Sequence, residues 1–313
     1  MLVESGWTSC VNDTGGLHTV LAEQSAGRPL RNQALLVRDN EHNQPYLIAG
    51  SRRYALPKDA NRSPEVRALH LDGEPVHTLP ARWVGLFESG SKVEPFRVPG
   101  AGQTIQTGVP ELSRIGMRVT VDQQPYVLVR DRAGKPALLR LSRFADAVYQ
   151  SRGPGARPPL VLRLGDVQNL DSLTNATLRT YPEDWPTNEL TGTAQTCAVL
   201  VGTGSDVRRT YLASVTANSA LPSGGDSSVT VQAGRGALVR GSSGGAPSPT
   251  VFLVDATGTR YAVGGTGDST EAQKRLGYGK VSVPAVPTSW ITLFSSGPEL
   301  TIQAAQNTPG SPS

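Results

Sequence analysis

The sequence predicts an α+β protein in which small repeat modules flank a β-rich central domain with quasi-twofold internal symmetry. Three observations indicate this class. A stretch near the end of the chain repeats one near its beginning, a cysteine precedes each copy, and short Val- and Thr-rich runs separated by glycines precede the second copy. An internal duplication constrains every later assignment, so the chain is interpreted as two homologous halves with a segment between them.

The duplication shows as a constant spacing between matching residues. Tyr54 and Tyr261 are 207 positions apart, and so are Trp83 and Trp290. The run ALLVR precedes the first copy, and ALVR precedes the second. The two stretches therefore form one structural unit that occurs twice.

The first copy shows which elements such a module contains. Two β-rich runs joined by the polar turn DNEHNQ precede a third strand at 52–56. Ser63, followed by Pro and Glu, is typical of a helix start. Residues 76–79 are predicted as a strand and 82–87 as a short helix.

A divergent third copy follows between the two. PYVLVRDRAGKPALLRL has the form of a hairpin, SRFADAVYQ that of a helix capped by Ser142, PPLVLRL that of a strand, and GDVQNLDSL that of a second helix. Further on, CAVLVGTG, TYLASVTA, SSVTVQAG and GALVRG read as strands of the central domain.

These patterns predict a division of the chain into modules and a two-part central domain. The predicted segments are 1–33 for the first part of the central domain, 34–103 for a repeat module, 110–172 for the divergent module, 173–245 for a polar connector and the second part of the central domain, 246–303 for the last module, and 304–313 for a disordered tail.

Composition and charge exclude several classes of protein. The net charge of +4 is scattered along the chain rather than clustered in one block. Aromatic residues make up 5% of the chain, which argues against the exposed rings on which nucleic-acid bases stack. No run of 18 apolar residues exists, so the sequence predicts no membrane-spanning helix, and the N-terminus lacks the pattern of a signal peptide.

The two cysteines stand at equivalent places in the two halves. Cys10 and Cys197 are 187 positions apart, each ahead of its copy of the repeat. This arrangement favours a disulfide across a pseudo-twofold core, and the alternative is two unrelated buried thiols. An oxidised pair would place the chain outside the cytoplasm.

Familiar catalytic patterns are absent or lack their context. Gly241 to Gly245 matches G-x-S-x-G with Ser243 as nucleophile, but no helix can start at APSPT, and all four histidines precede it in the chain. The same objection applies to GDSS at 225–228. The sequence contains no P-loop, and its cysteine and histidine spacing fits no metal site. We therefore expect no catalytic residue, metal or cofactor.

Two residue pairs have both a functional and a structural interpretation. Glu88 and Glu299 sit beside Phe-Ser-(Ser)-Gly turns and could pair as acids for sugar chemistry, but such residues more often cap a helix end or face water. Trp83 and Trp290 could be ligand platforms, yet their helical spacing from a phenylalanine favours a place in the module core.

A set of motifs gives the chain a family resemblance. The motifs are the WxxC start at Trp7, YLIAGSRRYALP, VPGAG at 98–102, the lone later Cys197, GRGALVRG at 234–241, TGTRYAV, the pair Leu276-Gly277, and SSGPEL near the end. Together they resemble the extracytoplasmic part of EccB, a membrane-anchored component of the actinobacterial type VII (ESX) secretion system. The resemblance covers the chain from Trp7 to Ala304.

The resemblance implies a structure and a role. It implies an elongated protein, a bridge between Cys10 and Cys197, and an extracytoplasmic scaffold that supports protein export. The implied partners are EccC, EccD, EccE and the mycosin protease, with a homo-oligomer also expected. The resemblance further implies a short cytoplasmic segment, one transmembrane helix and a first repeat ahead of the WxxC motif, and we expect these to be absent from the sequence as given.

The resemblance also raises two alternative functions. The modules of the family have been likened to cell-wall-binding units, which makes peptidoglycan a candidate ligand. Some members are described as ATPases, but the residues of this sequence offer no phosphate-binding loop to support that activity.

Overall fold

The structure is a computed structural model that describes residues 2–59, 63–151, 157–175, 181–182, 189–190, 196–203, 205–215, 225–243, 246–264 and 269–306. Its strands are β1 (Trp7–Val11), β2 (Leu17–Leu21), β3 (Gly27–Pro29), β4 (Gln33–Asp39), β5 (Pro45–Ala49), β6 (Arg52–Ala55), β7 (His77–Leu79), β8 (Glu88–Ser89), β9 (Arg118–Val121), β10 (Gln124–Arg130), β11 (Pro136–Arg140), β12 (Leu160–Leu162), β13 (Asp171–Leu173), β14 (Glu189–Leu190), β15 (Thr196–Thr203), β16 (Ser205–Val215), β17 (Ser228–Val231), β18 (Ala237–Ser243), β19 (Ala246–Val254), β20 (Thr259–Val263), β21 (Ala285–Pro287) and β22 (Ser295–Ser296).

The described helices are short. They are α1 (Pro64–Ala68), α2 (Ala81–Val84), α3 (Arg143–Gln150), α4 (Ser269–Arg275), α5 (Thr288–Ile291) and α6 (Ile302–Gln306), with a 3-10 helix at Leu164–Val167. Two begin as the sequence predicted, because Ser63 Oγ accepts a hydrogen bond from Glu65 N and Ser142 Oγ accepts one from Ala145 N. The α+β class with several small sheets is confirmed.

Three sheets share one topology, which makes each a copy of the same module. Each contains an antiparallel three-stranded meander with a short parallel strand on both edges, and the first sheet also includes the two-residue strand β14, which pairs with β4. The meanders are β4-β5-β6 in the first module, β9-β10-β11 in the middle module and β18-β19-β20 in the last module. Their edge strands are β7 and β8, β12 and β13, and β21 and β22.

Three sequence-based assignments differ from the structure. Residues 304–306 of the predicted tail 304–313 belong to helix α6, and residues 307–313 lie outside the described residues. Strand β18 pairs with β19 and β21, so the last module begins at Ala237, inside the predicted central segment 173–245. The backbone N–H and C=O groups of β18 form their hydrogen bonds with β19 and β21 of the last module, and β18 is one of the three strands of that module's meander. The predicted helix GDVQNLDSL is a 3-10 turn followed by β13, because the sheet edge beside β11 takes up its last residues as a parallel strand.

The fourth sheet is the central one and draws on both ends of the chain. Its order is β17-β2-β1-β15-β16-β3, with β1 and β15 antiparallel at the middle. Residues from β1 thus lie beside residues almost 200 positions later. This sheet is the central domain that the two halves of the sequence predicted.

Two hydrophobic clusters join the four sheets. One face of the first module packs against the middle module in a shared core that includes Leu47, Tyr54 and Phe144. Its other face packs on the central sheet, in a second core that includes Trp7 and Trp83 and extends to the last module. The middle module therefore packs on the first module, and the first and last modules both pack on the same face of the central sheet.

One repeated Tyr–Gly contact explains why the duplication is readable at a fixed spacing. A Cβ added to Gly90 would lie 2.3 Å from the Tyr54 ring, and one added to Gly297 would lie 2.4 Å from the Tyr261 ring. Each glycine lets the ring of its own module approach the backbone closely.

Candidate functional site

A disulfide ties the centre of the molecule. Cys10 on β1 stands directly opposite Cys197 on β15, and the two form a disulfide with Cα atoms 4.0 Å apart. Both residues are 1% exposed. The bond joins the two halves of the chain on the sheet face that does not carry the tryptophan core.

Two tryptophans hold the flanking modules to the opposite face of this sheet. Trp83 Nε1 donates to the carbonyl oxygen of Ser9 at 3.0 Å, and Trp290 Nε1 donates to Thr210 Oγ1 at 2.8 Å. Thr210 Oγ1 in turn donates to the carbonyl oxygen of Leu86 at 2.7 Å. Both indole rings are 0% exposed, so they are core residues and cannot serve as ligand platforms.

The duplication creates two clefts of about equal size where the modules meet the central sheet. The first, here named the arginine cleft, has a volume of about 410 Å³ and is lined by Ser51, Arg53, Gly85, Leu86, Phe87, Glu88, Ser89, Arg208, Arg209, Thr210, Ser242, Ser243, Ala285, Pro287, Thr288 and Ser289. The second cleft also measures about 410 Å³ and is lined by Leu17, Thr19, Arg82, Ser227, Ser228, Val229, Thr257, Gly258, Leu293, Phe294 and Ser295.

The spacing of 207 maps one cleft onto the other. Phe87 in the arginine cleft corresponds to Phe294 in the second, and Glu88 corresponds to Ser295. The correspondence also holds where a module contributes to the cleft beside the other module. Ser289 of the last module lines the arginine cleft, and its equivalent in the first module, Arg82, lines the second cleft. Both clefts are therefore products of the quasi-twofold symmetry.

The charges of the two clefts differ despite this symmetry. The arginine cleft has Arg53, Arg208 and Arg209 against one carboxylate, that of Glu88, which lies 3.1 Å from Arg52 Nη2. The second cleft has one arginine, Arg82, whose Nη2 donates to the carbonyl oxygen of Thr292 at 2.8 Å. More positive charge thus lines the arginine cleft than the second cleft.

A Ser–His–Asn arrangement lies beside the second cleft, and no local pattern in the sequence indicated it. His18 Nδ1 is 2.6 Å from Ser228 Oγ, and His18 Nε2 is 3.0 Å from Asn12 Nδ2. Asn12 Oδ1 accepts from the backbone N–H of Thr14 and of Gly16 and from the Thr14 hydroxyl, so Asn12 Nδ2 faces the imidazole as a donor.

This hydrogen bonding fixes the tautomer of the imidazole. Since Asn12 Nδ2 donates to His18 Nε2, the proton of the neutral ring is on Nδ1, which donates to Ser228 Oγ. His18 therefore cannot take a proton from Ser228, as a serine nucleophile would require. The arrangement is a buried polar network that joins β2 to β17.

The other candidate residues from the sequence do not form a catalytic group. Ser243 is exposed at the end of β18 and lines the arginine cleft, where no histidine is among the lining residues. Glu88 pairs with Arg52, and Glu299 is exposed and lines neither cleft. Within the described residues, no three His, Cys, Asp or Glu side chains are grouped to hold a metal ion.

Comparison with solved structures identifies the same architecture elsewhere. The fold is similar to the periplasmic assembly from the ESX-5 inner membrane complex, with a TM-score of 0.64, 18% identity, and coverage of 99% of this chain and 80% of that one. An EccB3 dimer from the ESX-3 core complex gives a TM-score of 0.69 at 19% identity, with 98% and 84% covered. An intact ESX-5 inner membrane complex gives 0.64 at 17%, with 99% and 67% covered.

Sequence comparison reaches the same family. No curated protein matches the chain in sequence. The model of the family described as "Type VII secretion system ESX-1, transport TM domain B" matches residues 3–311. None of the described helices is both long and apolar enough to cross a membrane. The chain therefore belongs to the EccB family of type VII (ESX) secretion components.

Proposed function

We propose that this chain is an extracytoplasmic scaffold of a type VII (ESX) membrane complex and that it supports protein export across the cell envelope. The observation that carries the proposal is the similarity of its fold, over 98% to 99% of its length, to periplasmic and EccB parts of ESX complexes. Its proposed partners are the membrane components EccC, EccD and EccE and the mycosin protease. A second copy of the chain is a further proposed partner, since the ESX-3 relative is a dimer.

The internal architecture supports this role. The Cys10–Cys197 disulfide suits an oxidising compartment outside the cytoplasm. The central sheet contacts the first and last modules through one continuous hydrophobic core. Because a close-packed core transmits strain, a force applied to one module reaches the other. We propose that the full-length protein is anchored by an N-terminal transmembrane helix and presents these modules to its partners.

Complementation of an actinobacterium that lacks its own EccB tests the proposal. The chain, fused to the anchor of the missing protein, is expected to restore co-purification of EccC, EccD and EccE and secretion of ESX substrates. A matched control carries the same anchor on an unrelated extracytoplasmic domain. Equal secretion with the control would contradict the scaffold role.

Peptidoglycan binding and ATP hydrolysis stay alternative predictions, and the same protein preparation can test both. Peptidoglycan binding predicts saturable co-sedimentation with purified cell wall, above that of a basic protein of similar charge. ATP hydrolysis predicts turnover that follows the protein through successive chromatography steps.

A further inference from the structure

The arginine cleft has the dimensions of a small-molecule site. Its volume of about 410 Å³ lies within the roughly 300–1,000 Å³ usual for such sites. Three separate units form its wall, namely the first module, strand β16 of the central sheet, and the last module. A ligand held there would contact all three.

The charge of the cleft favours an oxyanion. Arg53, Arg208 and Arg209 present three guanidinium groups, and the one carboxylate of the lining, on Glu88, is already paired with Arg52. Arg53 is held in place, because its guanidinium lies over the Tyr46 ring at 5.4 Å. Guanidinium groups present planar, paired donors that match the oxygens of a phosphate group.

The hydroxyl groups of the cleft favour a ligand with hydroxyls of its own. The wall carries seven Ser and Thr side chains, which are Ser51, Ser89, Thr210, Ser242, Ser243, Thr288 and Ser289. Such side chains both donate and accept hydrogen bonds, as the hydroxyls of a sugar do. Thr210 and Thr288 donate their protons to the carbonyl oxygens of Leu86 and Ser242, and Thr210 also accepts from Trp290 Nε1. These two hydroxyls fix part of the wall, and the serines supply the donors for a ligand.

The second cleft shows that the scaffold does not need the three arginines. It has the same volume and the equivalent Leu–Phe wall, yet a single arginine lines it. The structural frame is thus satisfied with far less positive charge. The frame of the cleft therefore does not by itself require three arginines in its lining.

We propose that the arginine cleft binds a sugar phosphate group, with the arginines on the phosphate and the serines and threonines on the sugar hydroxyls. This site is additional to the scaffold role and does not depend on it. Two sources could supply the ligand, a free sugar phosphate or a phosphodiester-linked polyol of the cell wall.

Titration with glucose 6-phosphate, followed by backbone amide NMR, tests the proposal on the disulfide-bonded chain. Shifts are expected for residues of β8, β16 and α5, with weaker binding of inorganic phosphate and of glucose alone. Arg208→Gln with Arg209→Gln is expected to weaken binding by roughly tenfold or more, since hydrogen bonds to charged groups are lost. A titration with poly(glycerol phosphate) in place of glucose 6-phosphate distinguishes the two sources. If the wall polymer is the ligand, poly(glycerol phosphate) should bind more tightly than glucose 6-phosphate.

Arg82→Gln is the matched control, because it removes a guanidinium from the second cleft. It is expected to leave the affinity unchanged, while thermal unfolding checks that each variant is folded. The proposal is overturned if neither phosphate ligand binds at millimolar concentration. It is also overturned if folded Arg208→Gln, Arg209→Gln protein binds as the wild type does, or if Arg82→Gln weakens binding equally.

Discussion

At the scale of single residues, the arrangement of neighbouring elements depends on buried polar atoms that form hydrogen bonds. Trp83 is 0% exposed, yet its indole N–H reaches a backbone carbonyl oxygen of the central sheet. Asn12 plays a similar part, since its amide joins a loop, His18 and the carbonyl oxygen of Gly225. Such satisfied buried groups fix one arrangement of neighbouring elements, because leaving any of them unpaired is costly.

Truncation of Trp83 tests the anchoring of the first module. Trp83→Ala should lower the free energy of unfolding by about 3–5 kcal/mol, because a large buried ring and a hydrogen bond are lost. Urea denaturation measures the change. Leu276→Ala, at a residue 40% exposed, serves as control and should cost less than about 1 kcal/mol. Similar losses for the two variants would show that the indole does not anchor the module.

Removal of the Asp255 carboxylate should make stability depend less on pH. Burial works to raise the pKa of Asp255, but hydrogen bonds from Thr257, Thr259 and Tyr261 outweigh it and hold the pKa below 3.8. A lowered pKa in the folded state contributes stability that is present above the unfolded pKa of about 4 and is lost as pH falls through the folded value.

Asp255→Asn should therefore unfold at a lower temperature than the wild type at pH 7, with the gap closing over the range in which the pH falls from 7 through the lowered pKa of Asp255. Thermal unfolding across that range measures it. Glu299→Gln removes an exposed carboxylate from the same module and is the matched control. A gap that stays constant with pH would contradict the assigned pKa direction.

At the scale of elements, the module is a meander whose edges are closed by short parallel strands. Local signals mark its hairpins, since turn residues separate runs of β-forming residues. The edge strands β8, β13 and β22 have two or three residues each and leave no such signal. The central sheet differs again, because β1 and β15 are brought together from distant parts of the chain.

Loss of the disulfide should weaken the pairing of β1 with β15. Cys10→Ala with Cys197→Ala is expected to lower the free energy of unfolding by about 2–5 kcal/mol, because the bond closes a loop with a sequence separation of 187 residues. Urea denaturation with and without reductant measures it. The reduced wild type should match the double variant, and equal midpoints for oxidised and reduced wild type would contradict the expectation.

At the scale of the whole molecule, the first module is buried on both faces and the last module on one large face. The core shared by the first and middle modules contains Phe144, whose ring lies 5.8 Å from Tyr54 and 4.9 Å from Tyr181. Burial raises the pKa of Tyr181 to about 12, and Glu94 adds to the rise. The outer face of the last module forms a smaller cluster around Leu238, Val251 and Val263.

This asymmetry predicts which modules unfold together. Phe144→Ala should lower amide hydrogen-exchange protection in both β4–β5 and β10–β11, because their shared core loses about 3–5 kcal/mol. Strands β19 and β20 should change less. Val263→Ala is the control in the last module and should show the reverse pattern. Loss confined to β10–β11 after Phe144→Ala would show that the two modules unfold independently.

The sequence by itself determined the modular plan, and the tertiary structure decided how the modules meet. A fixed spacing of 207 is readable because Tyr54 with Gly90, and Tyr261 with Gly297, form equivalent local contacts in each copy. The assignment of β18 to the last module, the pairing of His18 with Ser228 and the gathering of three arginines in one cleft were not predictable in this way. They join residues from distant segments, and such neighbours are set by how complete sheets pack, which no local pattern of residues records.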